Sequence, residues 1–333
     1  MAALNKQVLL ASRPQGAVTE ANFRFVEAFV GKPGPGEVLV RNEWLSLDPY
    51  MRGRMSDAKS YAKSVEIGEV MVGQTVGEVV ESNDPNFKSG DKVLTPLGWQ
   101  LYGIAAAKEL TRIDAKRAPA SYYLGILGMP GITAWFGLFE IGQPKPGNTV
   151  VVSAAAGAVG SVVGQLANIK GCRVVGIAGG KTKCDYVVKD LGFDACVDYK
   201  AGNLLADLRD HCPKGVDVNF ENVGGMVLDT VLRVMNLHST IVVCGLIAEY
   251  SATEPYGYKM LRSVLVNRIT MQGMIVFDWK DRYGEALKGL SGYLTEGKLK
   301  YRESIVDGID NAPKGLIALL KGDNFGKQLV KLA

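Results

Sequence analysis

Apolar and polar residues alternate over residues 37–44 (EVLVRNEW), straight after the turn-rich Gly31-Lys32-Pro33-Gly34-Pro35-Gly36. A period of two predicts a strand with one buried face. Weaker β signals follow at 70–81, rich in glycine and valine, and at 91–97 after the turn Lys88-Ser89-Gly90. Short strands set apart by glycine and proline turns, with little helical period, predict a β-rich first domain over residues 1–125. Near 124–131 (LGILGMPG) the pattern changes, and helix and strand signals alternate from there. Residues 216–219, 239–244 and 270–276 read as further strands of that sheet, and 328–332 as a closing strand. The expected division is 1–125, then 126–295, then a C-terminal return over 296–333.

The densest information lies in 148–165, NTVVVSAAAGAVGSVVGQ. Residues 149–153 form a β-branched run suited to a strand covered on both faces. Ala154, Gly157 and Gly160 follow as AxxGxxG, and such small residues let a backbone approach a pyrophosphate at a helix N-terminus. They serve ordinary strand–helix packing equally well, so the turn alone leaves both readings open. The continuation adds weight: the helix runs to Lys170, Gly171 ends it, and CRVVGI at 172–177 supplies a second strand. This is a βαβ unit of about thirty residues. An NAD site would place a carboxylate after the second strand, but here the chain reads Ala178-Gly179-Gly180-Lys181-Thr182-Lys183, with no acid before Asp185. A basic loop attracts the 2′-phosphate of NADPH, which an aspartate would repel. NADPH is the expected cofactor.

Composition narrows the alternatives. The 333 residues leave room for two domains, and 47% hydrophobic with 22% charged residues is ordinary for a soluble globular chain. A net charge of +4, without a dense Lys/Arg run, gives no support for nucleic-acid binding. The first apolar stretch is too short and too soon interrupted for a secretory signal, so a cytoplasmic location is expected. The uncharged stretch 149–169 has the length of a membrane span, but its Ala/Gly content with Ser153, Ser161, Gln165 and Asn168 makes it too polar, and no membrane association is expected. The five cysteines, Cys172, Cys184, Cys196, Cys212 and Cys244, form no CxxC and are expected as reduced thiols. Residues 1–171 contain neither cysteine nor histidine, which rules out a thiolate–imidazole zinc site in that half, and no metal is expected. HExxH and GxSxG are absent, so hydrolases of those kinds lack their parts.

LDPYMRGRMSD at 47–57, LGMPGITAWFGL at 127–138, AAAGAVGSVVGQ at 154–165, ENVGG at 221–225, CGLIAEYSAT at 244–253 and LLKGDNFGKQLVK at 319–331 together carry a resemblance over nearly the whole chain. The sequence resembles the zinc-independent medium-chain dehydrogenases/reductases, in the group of NADPH-dependent double-bond reductases that takes in leukotriene B4 dehydrogenase/prostaglandin reductases, plant alkenal reductases and bacterial curcumin reductases. The resemblance implies an α/β fold: a GroES-like β-rich catalytic domain plus a doubly wound parallel Rossmann domain. It implies hydride transfer from NADPH to the β-carbon of an α,β-unsaturated ketone or aldehyde, with a proton then reaching the α-carbon. It implies Gly157, Ala158, Val159 and Gly160 at the pyrophosphate, and Lys183 with Tyr199 at the 2′-phosphate. The remaining cofactor contacts it implies are Asn222, Cys244, Gly245, Leu246, Ile247, Tyr250, Met274, Ile275, Val276 and Asn324. A homodimer is implied as well.

As hydride arrives at the β-carbon, negative charge grows on the carbonyl oxygen, and a positioned hydroxyl lowers that barrier. Tyrosine donates at neutral pH and offers a flat apolar face to a conjugated substrate. The candidates are Tyr250 and Tyr50 as catalytic donors, with Tyr50 and Tyr61 touching an enone or enal. A half-buried core position is the alternative for each of them. Arg52 and Arg54 are expected to pair with surface acids, and Cys244 to pack as a small apolar group. His211 and His238 are expected as solvated or capping residues. Two competing functions remain open at this point: a quinone reductase on the same scaffold, and a crystallin-like protein that binds NADPH without turnover.

Overall fold

In the computed structural model, which describes residues 4–332, the chain forms two units. One holds the chain up to Gly125 together with everything from Glu303 onward, and the other is Ile126–Arg302.

The second unit is built on six parallel strands, Thr149–Ser153, Arg173–Ala178, Ala195–Asp198, Val216–Glu221, Met235–Val243 and Thr270–Gly273. Across the sheet they run third, second, first, fourth, fifth, sixth, the doubly wound order in which ligands sit where the first and fourth strands part. The first strand is buried at all of its positions, as its unbroken β-branched run predicts. The uncharged stretch that follows is shared between this strand and helix Gly160–Ile169, and among the described residues no helix is long and apolar enough to cross a membrane. The fifth strand starts at Met235, earlier than its pattern suggests. His238 there has φ of 57° and the register with the fourth strand shifts between Val216 and Val218, an irregularity that breaks the alternation a sequence reading relies on. Ala195–Asp198 escapes sequence reading altogether, because four residues are too few to show a period.

In the first unit Glu37–Ser46 is the organising strand. It pairs antiparallel with Thr75–Ser82, Tyr102–Ala106 and Lys327–Lys331. Gly77 sits where a Cβ would lie 2.3 Å from the Arg41 carbonyl oxygen, so a side chain there would force the two strands apart. Trp99, fully buried and stacked on Phe23 at 5.4 Å, anchors a core with Leu45, Leu47, Met51, Met55 and Met71. The ribbon Leu4–Leu10 with Phe23–Phe29 has no counterpart in the sequence reading; Phe23–Phe29 is exposed at most positions, and exposure erases the alternation. The closing strand is Lys327–Lys331, and it pairs in parallel with Glu303–Asp307 by way of helix Ala312–Lys321.

Candidate functional site

In the second unit the turn between the first strand and helix Gly160–Ile169 has the shape a pyrophosphate needs. Ala154 takes φ of 49°, a left-handed conformation unusual for alanine, and so swings its carbonyl under the helix start. A Cβ on Gly160 would lie 2.4 Å from that Ala154 oxygen and one on Gly157 3.1 Å from it, while the Gly157 amide donates to it at 2.9 Å. Gly157, Ala158, Val159 and Gly160 therefore form a cradle with no room for bulk, at the N-terminus of a ten-residue helix.

Where the first and fourth strands part, a buried polar network fixes the neighbouring loops. Ser153 Oγ donates to Glu221 Oε1 at 2.7 Å and accepts the Asn222 amide at 2.7 Å, and Asn222 Nδ2 donates to the Ser153 carbonyl at 2.8 Å. Glu221, wholly buried, also accepts the Val223 and Gly224 amides on Oε1 and Asn219 Nδ2 on Oε2. With no cation in the network, this carboxylate is held by hydrogen bonds, which is how buried charge is tolerated. The network spreads outward: the Cys244 and Gly245 amides donate to the Glu221 carbonyl, and Ile247 to that of Asn222. Glu249 extends it, accepting the Gly225 amide at 3.0 Å and the Tyr258 hydroxyl at 2.5 Å.

Tyr250, half-buried in the same loop, turns back so that its hydroxyl accepts the Leu246 amide at 3.2 Å. Met274 continues from the sixth strand, its amide donating to the Val243 carbonyl at 3.0 Å, and Ile275 and Val276 follow. The Cys244 thiol is pushed up to about 12, first by burial and then by the Glu221 carboxylate, which makes it a packing group rather than a nucleophile at neutral pH.

At the end of the second strand Gly180 has φ of 92° and opens helix Lys181–Lys189. Asp198 Oδ1 accepts the Gly180 amide at 2.8 Å and the Lys200 amide at 3.0 Å, so this acid holds the loop. Lys181 pairs with Asp185 at 2.6 Å on the exposed helix face. A Cβ on Gly179 would lie 2.9 Å from the Tyr199 ring, which places Tyr199 against the glycine pair that precedes Lys183. This corner suits the 2′-phosphate: small residues, a tyrosine hydroxyl, two lysines and a carboxylate already engaged by backbone amides.

In the first unit Tyr50 begins the short helix Tyr50–Arg54. Burial, with the Asp48 carboxylate next, pushes its phenol well above the usual tyrosine range, against the pull of Arg54, so the hydroxyl stays protonated and able to donate. Tyr61 is 58% exposed in the following loop, close enough to act electrostatically on Tyr50. Asn324 lies in the turn before the closing strand, donating from Nδ2 to the Gly326 carbonyl at 2.8 Å. The expected surface pairing of Arg52 is corrected. Its guanidinium is buried and donates to the carbonyls of Pro14 at 3.3 Å and Gly16 at 2.9 Å, because the helix packs down on the 13–18 segment. His211 and His238 are both exposed.

Ser153, Glu221, Glu249, Tyr258, Asp198 and the buried pair Asp48–Lys327 were not picked out by sequence reasoning. Glu221 and Asp48 do fall inside the motifs ENVGG and LDPYMRG, but nothing in a sequence distinguishes a buried acid from a solvated one.

Two family models match, one described as the N-terminal domain of oxidoreductases over residues 6–113 and one as zinc-binding dehydrogenase over 158–291. The second description implies a metal that the residues do not fit: among the described residues no group of three or more His, Cys, Asp or Glu is placed to hold one. The chain is 50% identical to the NADPH-dependent curcumin reductase of Escherichia coli, over 99% of this chain and 97% of that one. It is 42% identical to the NADP-dependent 2-alkenal reductase of Nicotiana tabacum, over 99% and 98%. The crystal structure of CurA from Vibrio vulnificus in complex with NADPH superposes with a TM-score of 0.95 at 49% identity, covering 98% of this chain and 99% of that chain. The chain belongs to the zinc-independent medium-chain dehydrogenases/reductases, in the group of the prostaglandin, alkenal and curcumin double-bond reductases.

Proposed function

We propose that this protein reduces the carbon–carbon double bond of α,β-unsaturated ketones and aldehydes with NADPH. The observation that carries the reading is the hydrogen bond at Tyr250: its oxygen accepts the Leu246 amide, which orients the phenol against the Cys244–Ile247 loop. A protein that only bound a nucleotide would have no need of an oriented donor in this loop.

The cradle of Gly157 to Gly160 would hold the pyrophosphate, Lys183 and Tyr199 the 2′-phosphate, and the Cys244–Ile247 loop with Asn222, Met274, Ile275, Val276 and Asn324 the remainder. NADPH supplies the hydride. The protein stabilises the charge that this transfer places on the substrate oxygen, which we assign to the Tyr250 hydroxyl. Tyr50 is a second donor, kept protonated by its surroundings, and with Tyr61 it offers the conjugated substrate a flat face. A proton then reaches the α-carbon.

The test is NADPH oxidation at 340 nm with a small enal, a long enone, curcumin and a quinone, repeated with NADH. Saturable NADPH-dependent turnover of the enones, with the saturated ketone recovered, supports the assignment. Turnover of the quinone alone, or NADPH binding without turnover, overturns it.

We also infer a cytoplasmic homodimer. The sixth strand, Thr270–Gly273, is an exposed sheet edge beside Leu261, Leu265, Val266 and Met271, all of them exposed. An open strand edge with apolar neighbours favours pairing with another chain. Sedimentation of wild type against Leu265→Asp tests it: a twofold fall in mass is expected, and a monomeric wild type rules the dimer out.

A further inference from the structure

Lys327 places its amine in the core of the first unit. Its side chain is 1% exposed, and Nζ donates to Asp48 Oδ1 at 2.6 Å and to the Leu47 carbonyl at 2.7 Å. The other oxygen of Asp48 accepts the Ser46 hydroxyl, and the half-buried Glu303 adds a second negative neighbour to the lysine. Burying an ammonium group is costly, and an apolar side chain of equal volume is often as stable or more so. What such a pair does supply is a fixed geometry.

The geometry fixed here is the root of the Tyr50 helix. Lys327 opens the closing strand, whose Leu329 stands opposite Ser46 and whose Gln328 carbonyl accepts the Leu47 amide at 3.1 Å. Leu47 and Asp48, both held by Nζ, lead through Pro49 into Tyr50, and the Asp48 carbonyl accepts the Met51 amide at 3.1 Å as the helix begins. A five-residue helix has little stability of its own. This one is pinned at its far end too, where Arg13 donates to the Met55 and Val65 carbonyls at 3.1 Å.

We propose that Lys327, through its buried pair with Asp48, is the positioning residue for Tyr50, setting where the phenol stands relative to the substrate. The proposal rests on the substrate role given to Tyr50 above.

A mutant cycle on the full-length protein tests it, with kcat and KM for an enone, NADPH affinity and melting temperature read in parallel. Lys327→Met with Asp48→Asn removes both charges together, so that no unpaired charge is left in the core; the Leu47 carbonyl loses its Nζ donor, and a modest fall in melting temperature is expected. Its kcat/KM for the enone is expected to fall on the order of 10- to 100-fold, the usual cost of a reacting group misplaced by about an ångström. In a Tyr50→Phe background the same pair of changes is expected to cost less than about twofold, because the hydroxyl it positions is gone. Wild-type kcat/KM in the pair variant overturns the proposal. So does a loss that adds in full to that of Tyr50→Phe, or one that appears in NADPH affinity and leaves the enone parameters unchanged, since either makes the pair a general support. Should Tyr50→Phe by itself leave kcat and KM unchanged, it is the Tyr50 assignment that fails. If the pair variant does not fold, Ser46→Ala loosens Asp48 without touching its charge. It should lose a few-fold in kcat/KM, absent in the Tyr50→Phe background, and an additive loss again overturns the proposal.

Discussion

The Ser153 hydroxyl and the Glu221 carboxylate, 2.7 Å apart at the ends of two neighbouring parallel strands, tie the glycine turn to the ENVGG loop. Glu221 Oε1 accepts three donors and Oε2 a fourth, Asn219 Nδ2. Glu221→Ala orphans all four, at about 1–3 kcal/mol for each buried group left unpaired. A marked fall in melting temperature and in NADPH affinity is expected. Glu221→Gln keeps the Oε1 acceptor, and its new amide can face the Asn219 oxygen, otherwise unpartnered, once that side chain flips. Thermal melts with and without NADPH should place Gln close to wild type and Ala far below it.

The turn itself makes two opposite predictions. Gly160→Ala puts a Cβ 2.4 Å from the backbone oxygen of Ala154, where nothing flexible can yield, so NADPH binding should be lost together with folded yield. Ala154→Gly removes the left-handed penalty of roughly 1–2 kcal/mol at φ of 49° against about 0.4–1 kcal/mol of added chain entropy, and should raise stability by up to about 1.5 kcal/mol. Chemical denaturation of the two variants checks both signs.

Strand Thr149–Ser153 and its glycine turn were legible from sequence because a strand covered on both faces needs an unbroken apolar run and a close helix start needs small residues. The strands that escaped, Phe23–Phe29 and Ala195–Asp198, are respectively mostly exposed and four residues long, and so carry no period. In the site, the backbone cradle could be read because its requirement falls on residue size. The polar groups Glu221 in one unit and Asp48 with Lys327 in the other could not be read, because their partners are set by the fold and lie as far off in sequence as position 48 is from 327. Arg52 shows the same limit in reverse: its charge suggests a surface, while two backbone carbonyls make its burial tolerable.

Cofactor choice should follow Lys183 and Tyr199. With Lys183 at the 2′-phosphate, as proposed above, its replacement by alanine removes a cation from that group and leaves the adenosine hydroxyls of NADH unaffected. The expected outcome is a rise of about tenfold or more in KM for NADPH with little change for NADH, a charge-assisted contact contributing about 1.5–3 kcal/mol. Equal losses with both cofactors would place Lys183 elsewhere in the site.

Glu303 gives a pH signature. Burial raises its carboxyl above the usual value, outweighing the Ser121 hydroxyl on Oε2 and the nearby Lys327. Between the unfolded and folded values the native state binds more protons than the unfolded one, so this group costs stability as pH rises through its folded value. Glu303→Gln keeps an acceptor for Ser121 and removes that cost. Its melting temperature should exceed wild type at pH 7–8, and the two should converge as pH falls below about 4.3, where the carboxyl is protonated in both states. A gain that persisted undiminished at low pH would have to come from packing rather than from charge.

Tyr250→Phe isolates the hydroxyl on which the proposed chemistry turns. The ring stays, so apolar contacts with the loop survive, while the Leu246 amide loses its acceptor. Removing one donor from a developing oxyanion lowers kcat by about 100- to 1,000-fold in other enzymes. A loss within that range is expected for Tyr250→Phe. NADPH labelled with deuterium at the transferred position sharpens the reading. If the hydroxyl stabilises the charge created by hydride transfer, its loss makes that step more rate-limiting, and the isotope effect on kcat should grow toward its intrinsic value. A loss of kcat with an unchanged, small isotope effect would instead assign Tyr250 to holding the Cys244–Ile247 loop during cofactor exchange. The Leu246 bond would then be the reason the tyrosine is there.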